Sequence, residues 1–185
     1  REFSSWEPGK KVKLKKWKES KIKDVERIKI KHPSEEFVLL AFRTTENTHR
    51  DAEALQMLDM ILDNATAGLI NLNLNQQQRV REAGSYPRQN NDYGAQYLWG
   101  IPKQGQSLEE VEQLLLEQID HIRNGNFDEW ILPAIVNDFA QNYKQGLESN
   151  FSRVAMIRKT IITSEEWEHH LNHLPRLEKI SKRDV

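Results

Sequence analysis

Three of the chain's six histidines fall within SEEWEHHLNHLPR, residues 164–176. His169 and His173 stand four apart and spell H-x-x-N-H, one residue away from the zinc-binding pattern H-x-x-E-H. Two such histidines on a helix offer two ligands, whereas hydrolytic zinc needs a third ligand and an open position for water. The glutamate of that pattern takes the proton of the bound water. Asn172 fills its slot, and an amide accepts no proton at neutral pH. At about 100° per residue, Trp167, Leu171 and Leu174 form one face expected to point inward. His169 and His173 then turn toward solvent beside Glu165 and Glu166, with His170 flanking the apolar stripe. The stretch therefore reads as a solvated helix face. At most, His169, His173 and Glu165 or Glu166 make a weak adventitious cation site.

The elements that carry these residues can be read from periodicity. EFVLLAFRTT is a continuous apolar run suited to a central strand, and VERIKIKH before it alternates like a second strand. From Asp51 the period becomes helical: Ala54, Leu55, Leu58, Ile61, Leu62 and Ala65 mark one face, Thr48 is the expected N-cap and Gly68 the expected break. A polar helical turn follows in NLNLNQQQRV. EAGSYPRQ and AQYLWGIPK read as two strands joined at Asn90-Asn91-Asp92. Ser107 and Glu110 form a capping box for a helix that ends at Asn124-Gly125. The next helix buries Leu132, Ile135, Val136, Phe139, Tyr143 and Leu147, and Pro133 predicts a late start or a kink. FSRVAMIRKTII is a further helix, and Thr163 with Glu166 predicts a capping box for the histidine helix. Strands first and helices later predict an α+β fold.

Composition bounds the rest. The chain has 185 residues, 37% hydrophobic and 30% charged, enough for one globular domain with a core of its own. No cysteine is present, which excludes disulfides, thiolate zinc sites and cysteine nucleophiles. No apolar run reaches membrane-spanning length. The first residue is Arg1, which predicts a fragment or processed form and leaves the compartment open. Net charge is -1, yet residues 1–32 hold 12 Lys and Arg against 5 Asp and Glu, or +7, which leaves -8 for the remainder. Clustered Lys with Trp6 and Trp17 could bind phosphates and stack on bases, but Lys alternating with Val12 and Leu14 is also how an edge strand avoids unwanted pairing. A binding module that uses this basic arm for an acidic partner or nucleic acid is the alternative function. With no nucleic-acid motif beside the arm, nucleic acid is not the expected partner.

Several segments, in order, resemble the pitrilysin/insulinase-type zinc metallopeptidases. DAEALQMLDMILDNATAGLINLNLNQQQRVREAGSY is similar to that family's helix–loop–strand unit, and FVLLAFRTT to the strand before it. IPKQGQSLEEVEQLLLEQIDHIRNGNFDEW resembles the strand–helix passage after it. LEKISKRDV resembles the segment leading into the terminal helix, here cut short, and FSSWEP the end of an interdomain linker. The resemblance implies an antiparallel sheet with helices packed mainly on one face, residues 25–185 forming one domain and 1–24 a linker or basic edge segment. Family members carry several such copies around an enclosed chamber, and only one holds H-x-x-E-H, near the start of its first long helix. Here that helix begins near Asp51 without a histidine pair, so the resemblance implies a non-catalytic copy, most simply the one following the catalytic domain. No cofactor is expected in this domain. Zinc belongs to the catalytic domain of the parent chain, which is the expected partner together with peptide substrate, and bacterial relatives suggest a cell-envelope or periplasmic setting.

One residue pair carries over by spacing. In the family's distal half an Arg and a Tyr seven residues later bind the substrate carbonyl, and Arg79 and Tyr86 have that separation. A cation and a phenol suit a developing oxyanion. The family pattern has Gly directly before the Tyr, whereas this chain reads Gly84-Ser85-Tyr86.

Overall fold

Alternation along the central strand organises the molecule. The computed structural model describes residues 4–7, 9, 10, 12 and 18–185. The chain divides into two units, 1–33 and 34–185.

The second unit contains strand β1 (Val38–Thr44), helix α1 (Ala52–Leu62), a π-helical turn (Asn71–Asn75), and strands β2 (Glu82–Arg88) and β3 (Gly94–Ile101). Helices α2 (Leu108–Arg123), α3 (Ile131–Glu148), α4 (Asn150–Thr163), α5 (Trp167–Leu171) and α6 (His173–Leu177) follow. The three strands form an antiparallel sheet in the order β1-β3-β2, with Leu98 opposite Leu40 on one side and Ser85 on the other. Every second residue of β3 is buried: Gly94, Gln96, Leu98 and Gly100. Val111 and Leu115 of α2 lie over Gly100, while Asp59 of α1 reaches Gln96 and Ser85. Both helices therefore seal the same sheet face, and the expected α+β architecture holds. Met57, Ile61, Leu74, Leu98, Leu115 and Ile135 are fully buried at its centre.

The strands Glu82–Arg88 and Gly94–Ile101, the capping box of Ser107 with Glu110, and the stop at Asn124 follow the sequence reading. Elsewhere the structure corrects it. VERIKIKH forms no strand; Ile28 and Ile30 are both more than 80% exposed, and an alternating segment gains a ladder only beside a partner strand. Thr48 is not the cap of α1, since Asp51 holds that position. The helix stops at Leu62, because Asp63 Oδ1 and Asn64 Oδ1 accept hydrogen bonds from the Ala65, Thr66 and Ala67 N–H groups, a turn that competes with another helical round. Ala65 is exposed as a result. Gly68 does not break the helix; it lets the returning chain press on the helix end, where a Cβ would stand 2.7 Å from Asp63 Cα. Pro133 neither delays nor displaces α3, which begins at Ile131, so the proline falls in the first turn, where N–H groups have no intrahelical partner. Thr163 ends α4 and bonds the Lys159 carbonyl instead of capping the next helix. The histidine helix itself is two helices, α5 and α6, separated at Asn172. Pro175 cannot donate to the Leu171 carbonyl, and its ring would clash there.

Candidate functional site

With one sheet face sealed by α1 and α2, the other presents Leu39, Tyr97, Trp99, Gly84 and Tyr86, placed side by side by the β1–β3–β2 register. Leu39 and Tyr86, on the two outer strands, each remain 46% exposed. Tyr86 stacks on Tyr97 with ring centroids 5.0 Å apart and an 18° interplanar angle. Gly84 is opposite Trp99, and a Cβ on it would meet the indole Nε1 at 2.9 Å. Only a residue without a side chain lets the indole lie across β2 at that point. The result is an aromatic platform on which Tyr86 is exposed and Tyr97 and Trp99 are half-buried, a surface suited to apolar or extended peptide ligands.

Behind the platform a polar network fixes β2 and β3 to α1. Asp59 Oδ1 accepts from Gln96 Nε2 at 2.6 Å and from Ser85 Oγ at 3.0 Å, and Asp63 Oδ2 accepts from the Ser85 N–H at 3.0 Å. Burial raises the Asp59 pKa, the bonds from Gln96 and Ser85 oppose that rise, and the charge of Asp63 adds to it. Sequence reasoning missed this network, although Asp59 and Asp63, one turn apart at the C-terminal end of α1, were its visible signal.

Arg79 and Tyr86 have different partners. The Arg79 guanidinium pairs with Glu117 of α2 at 3.2 Å and its carbonyl accepts from Gln106, whereas Tyr86 belongs to the aromatic platform. The basic arm is only partly described: Lys11, Lys13, Leu14, Lys15, Lys16 and Trp17 lie outside the described residues.

The histidines are spread over separate contacts. His169 Nδ1 is 2.9 Å from Glu165 Oε1 and 3.2 Å from Arg176 Nη2. His170 stacks on Trp167 and burial lowers its pKa, which Glu165 partly opposes; its Nε2 is buried without a partner. His173 does not face solvent as expected. It packs edge-on to Phe139 and stands 3.9 Å from Glu53, while Trp167 and Leu171, expected inward, are about half exposed. Leu174, the third residue expected inward, does pack against the core, and Leu177 beyond it is fully buried.

Glu53, in the first turn of α1, is buried and held by Arg176 Nε at 2.7 Å and Nη2 at 2.6 Å. Burial alone would raise its pKa, but His173 and the paired Arg176 outweigh burial and bring it to about 2. Among the described residues no three His, Asp or Glu converge as a metal site, and a guanidinium sits against His169, the first would-be ligand. These donors do not fit a hydrolytic zinc, so H-x-x-N-H is not a metal motif here.

An antiparallel sheet with helices on one face and an open aromatic face on the other defines the domain as α+β. Residues 1–139 match the peptidase M16 inactive domain, about three quarters of the chain, and the chain belongs to that family. The fold is similar to that of a protease from Helicobacter pylori, with TM-score 0.74 and 15% identity over 80% of this chain; the chain spans only 36% of that protein. It is also similar to the inactive peptidase domain of a zinc protease from Bordetella parapertussis, with TM-score 0.68, 14% identity and 82% and 83% of the two chains covered. A zinc protease from Bordetella pertussis Tohama I gives TM-score 0.68 and 13% identity over 83% and 84% of the chains. No curated protein sequence matches the chain. Among the described residues no helix is long and apolar enough to cross a membrane.

Proposed function

We propose that this domain is a non-catalytic wall of a zinc peptidase's substrate chamber and that its open sheet face receives the peptide. The observation that carries the reading is the aromatic platform of Tyr86, Tyr97 and Trp99, left open on a sheet whose opposite face is sealed. Stacked phenols and an indole hold varied side chains by apolar contact, which suits a chamber that positions many peptides. The zinc and its general base belong to a companion domain of the same polypeptide, with residues 1–24 as the connection. Tyr86 is the direct peptide contact in this reading. Arg79, tethered to Glu117, orients the start of β2 and reaches a peptide carbonyl only on leaving that ion pair.

Two measurements test this. With added zinc the chain is expected to cleave no peptide; hydrolysis that disappears in His169→Ala would overturn the reading. Titration with fluorescently labelled unstructured peptides should show weak binding that Tyr86→Ala reduces about tenfold, near 1.4 kcal/mol. Binding indifferent to Tyr86 and Trp99 would remove the platform from the chamber wall.

A further inference from the structure

Helix α4 is built inside out. It turns Ser152, Ala155, Met156 and Thr160 toward the rest of the domain, and Thr160 is its one buried residue. Phe151, Val154, Ile157, Ile161 and Ile162 point outward, with exposures from 49% to 79%. A surface helix ordinarily does the reverse, so an apolar stripe of this kind marks an interaction surface. Beyond the left-handed turn at Ser164, Trp167 and Leu171 of α5 are also about half exposed. None of these residues falls in the segment matched by the inactive-domain family, which ends at residue 139.

Charge says what covers it. Helix α4 carries Arg153, Arg158 and Lys159 and no acid, whereas Glu165, Glu166 and Glu168 follow within a few residues. Arg158 stands inside the apolar arc, one turn from both Val154 and Ile162, and among the described residues it has no carboxylate partner. A cation in the middle of the stripe opposes burial in lipid, but it suits a protein face that supplies a carboxylate.

We propose that the outer face of α4 and α5 is a two-fold self-association surface whose occupant is a second copy of this chain. An axis near Ile161 and Ile162 brings these residues of both copies together and sets Trp167 over Ile157. It also lays Arg158 and Lys159 of each copy along Glu166 and Glu168 of the other. Such an isologous contact uses one patch twice and satisfies both halves of its charge pattern. Two short helices present a surface at or below about 800 Å² a side, at or under the size of a standard interface.

Sedimentation equilibrium of the whole chain tests the proposal. The mass is expected to rise from 21.8 kDa toward twice that value between low-micromolar and hundreds of micromolar protein. Ile157→Glu with Ile161→Glu should remain monomeric with an unchanged far-ultraviolet circular dichroism spectrum. Arg158→Glu with Lys159→Glu, and separately Glu166→Lys with Glu168→Lys, should each weaken self-association about tenfold or more, and an equimolar mixture of the two should restore a 1:1 dimer. A wild-type monomer across the whole range would overturn the proposal. So would a mixture that fails to recover, or stripe-dependent binding to anionic phosphatidylglycerol vesicles without self-association.

Discussion

Glu53 and Asp59 are two carboxylates on one helix that respond to acid in opposite senses. Arg176 and His173 hold the Glu53 pKa at about 2, below its ordinary 4.5, so the folded state binds its proton more weakly than the unfolded chain does. That contribution is present above about pH 4.5 and is lost as the pH falls from there toward 2. Asp59 is raised by burial, so the folded state is favoured as Asp59 takes up a proton and loses that advantage as the pH rises through the folded value. Arg176→Met leaves Glu53 buried beside an apolar chain. Urea denaturation should show a loss of about 2 kcal/mol at neutral pH, with the decline below pH 4.5 flattened. Unchanged stability would mean that water replaces the guanidinium at no cost. Gly84 offers a second check. Gly84→Val should displace the Trp99 indole, seen as altered near-ultraviolet circular dichroism and loss of peptide binding, with the far-ultraviolet spectrum retained.

At the scale of elements, α2 was legible and its neighbours less so. Its capping box was readable because Ser and Glu three apart satisfy each other's backbone N–H groups within one turn, a purely local matter: Glu110 N donates to Ser107 Oγ at 3.1 Å and Ser107 N donates to Glu110 Oε2 at 2.9 Å. Ser107→Ala is expected to cost about 1 kcal/mol in thermal or chemical denaturation. Gln118, fully buried on the same helix, was not foreseen. Its Oε1 accepts from Asn73 at 2.8 Å and its Nε2 donates to the Leu114 carbonyl, so its partner lies 45 residues away. Apolar spacing in the histidine segment predicts one helix, whereas Pro175 divides it into two. Spacing encodes a period, but a proline interrupts the ladder whatever the period.

For the molecule as a whole, the C-terminal α5–α6 segment joins the core through Leu177, which is fully buried, and the Glu53–Arg176 pair, whose partners are 123 residues apart. Leu177→Ala should therefore destabilise the entire domain by about 2–4 kcal/mol in one cooperative transition, with no separate fraying of the terminus. A biphasic unfolding curve would instead make α5–α6 an independent unit. From residue types and local spacing alone, the sequence determined the α+β class, the β2–β3 hairpin, the cap of α2 and the absence of a general base at Asn172. These depend on chemistry within a turn or a strand pair. Only the tertiary structure decided which sheet face stays open, that Glu53 faces a guanidinium, that His173 turns inward, and that α4 shows its apolar side to solvent. A periodic pattern defines a face, but which neighbour arrives to cover it depends on contacts between residues far apart in the chain.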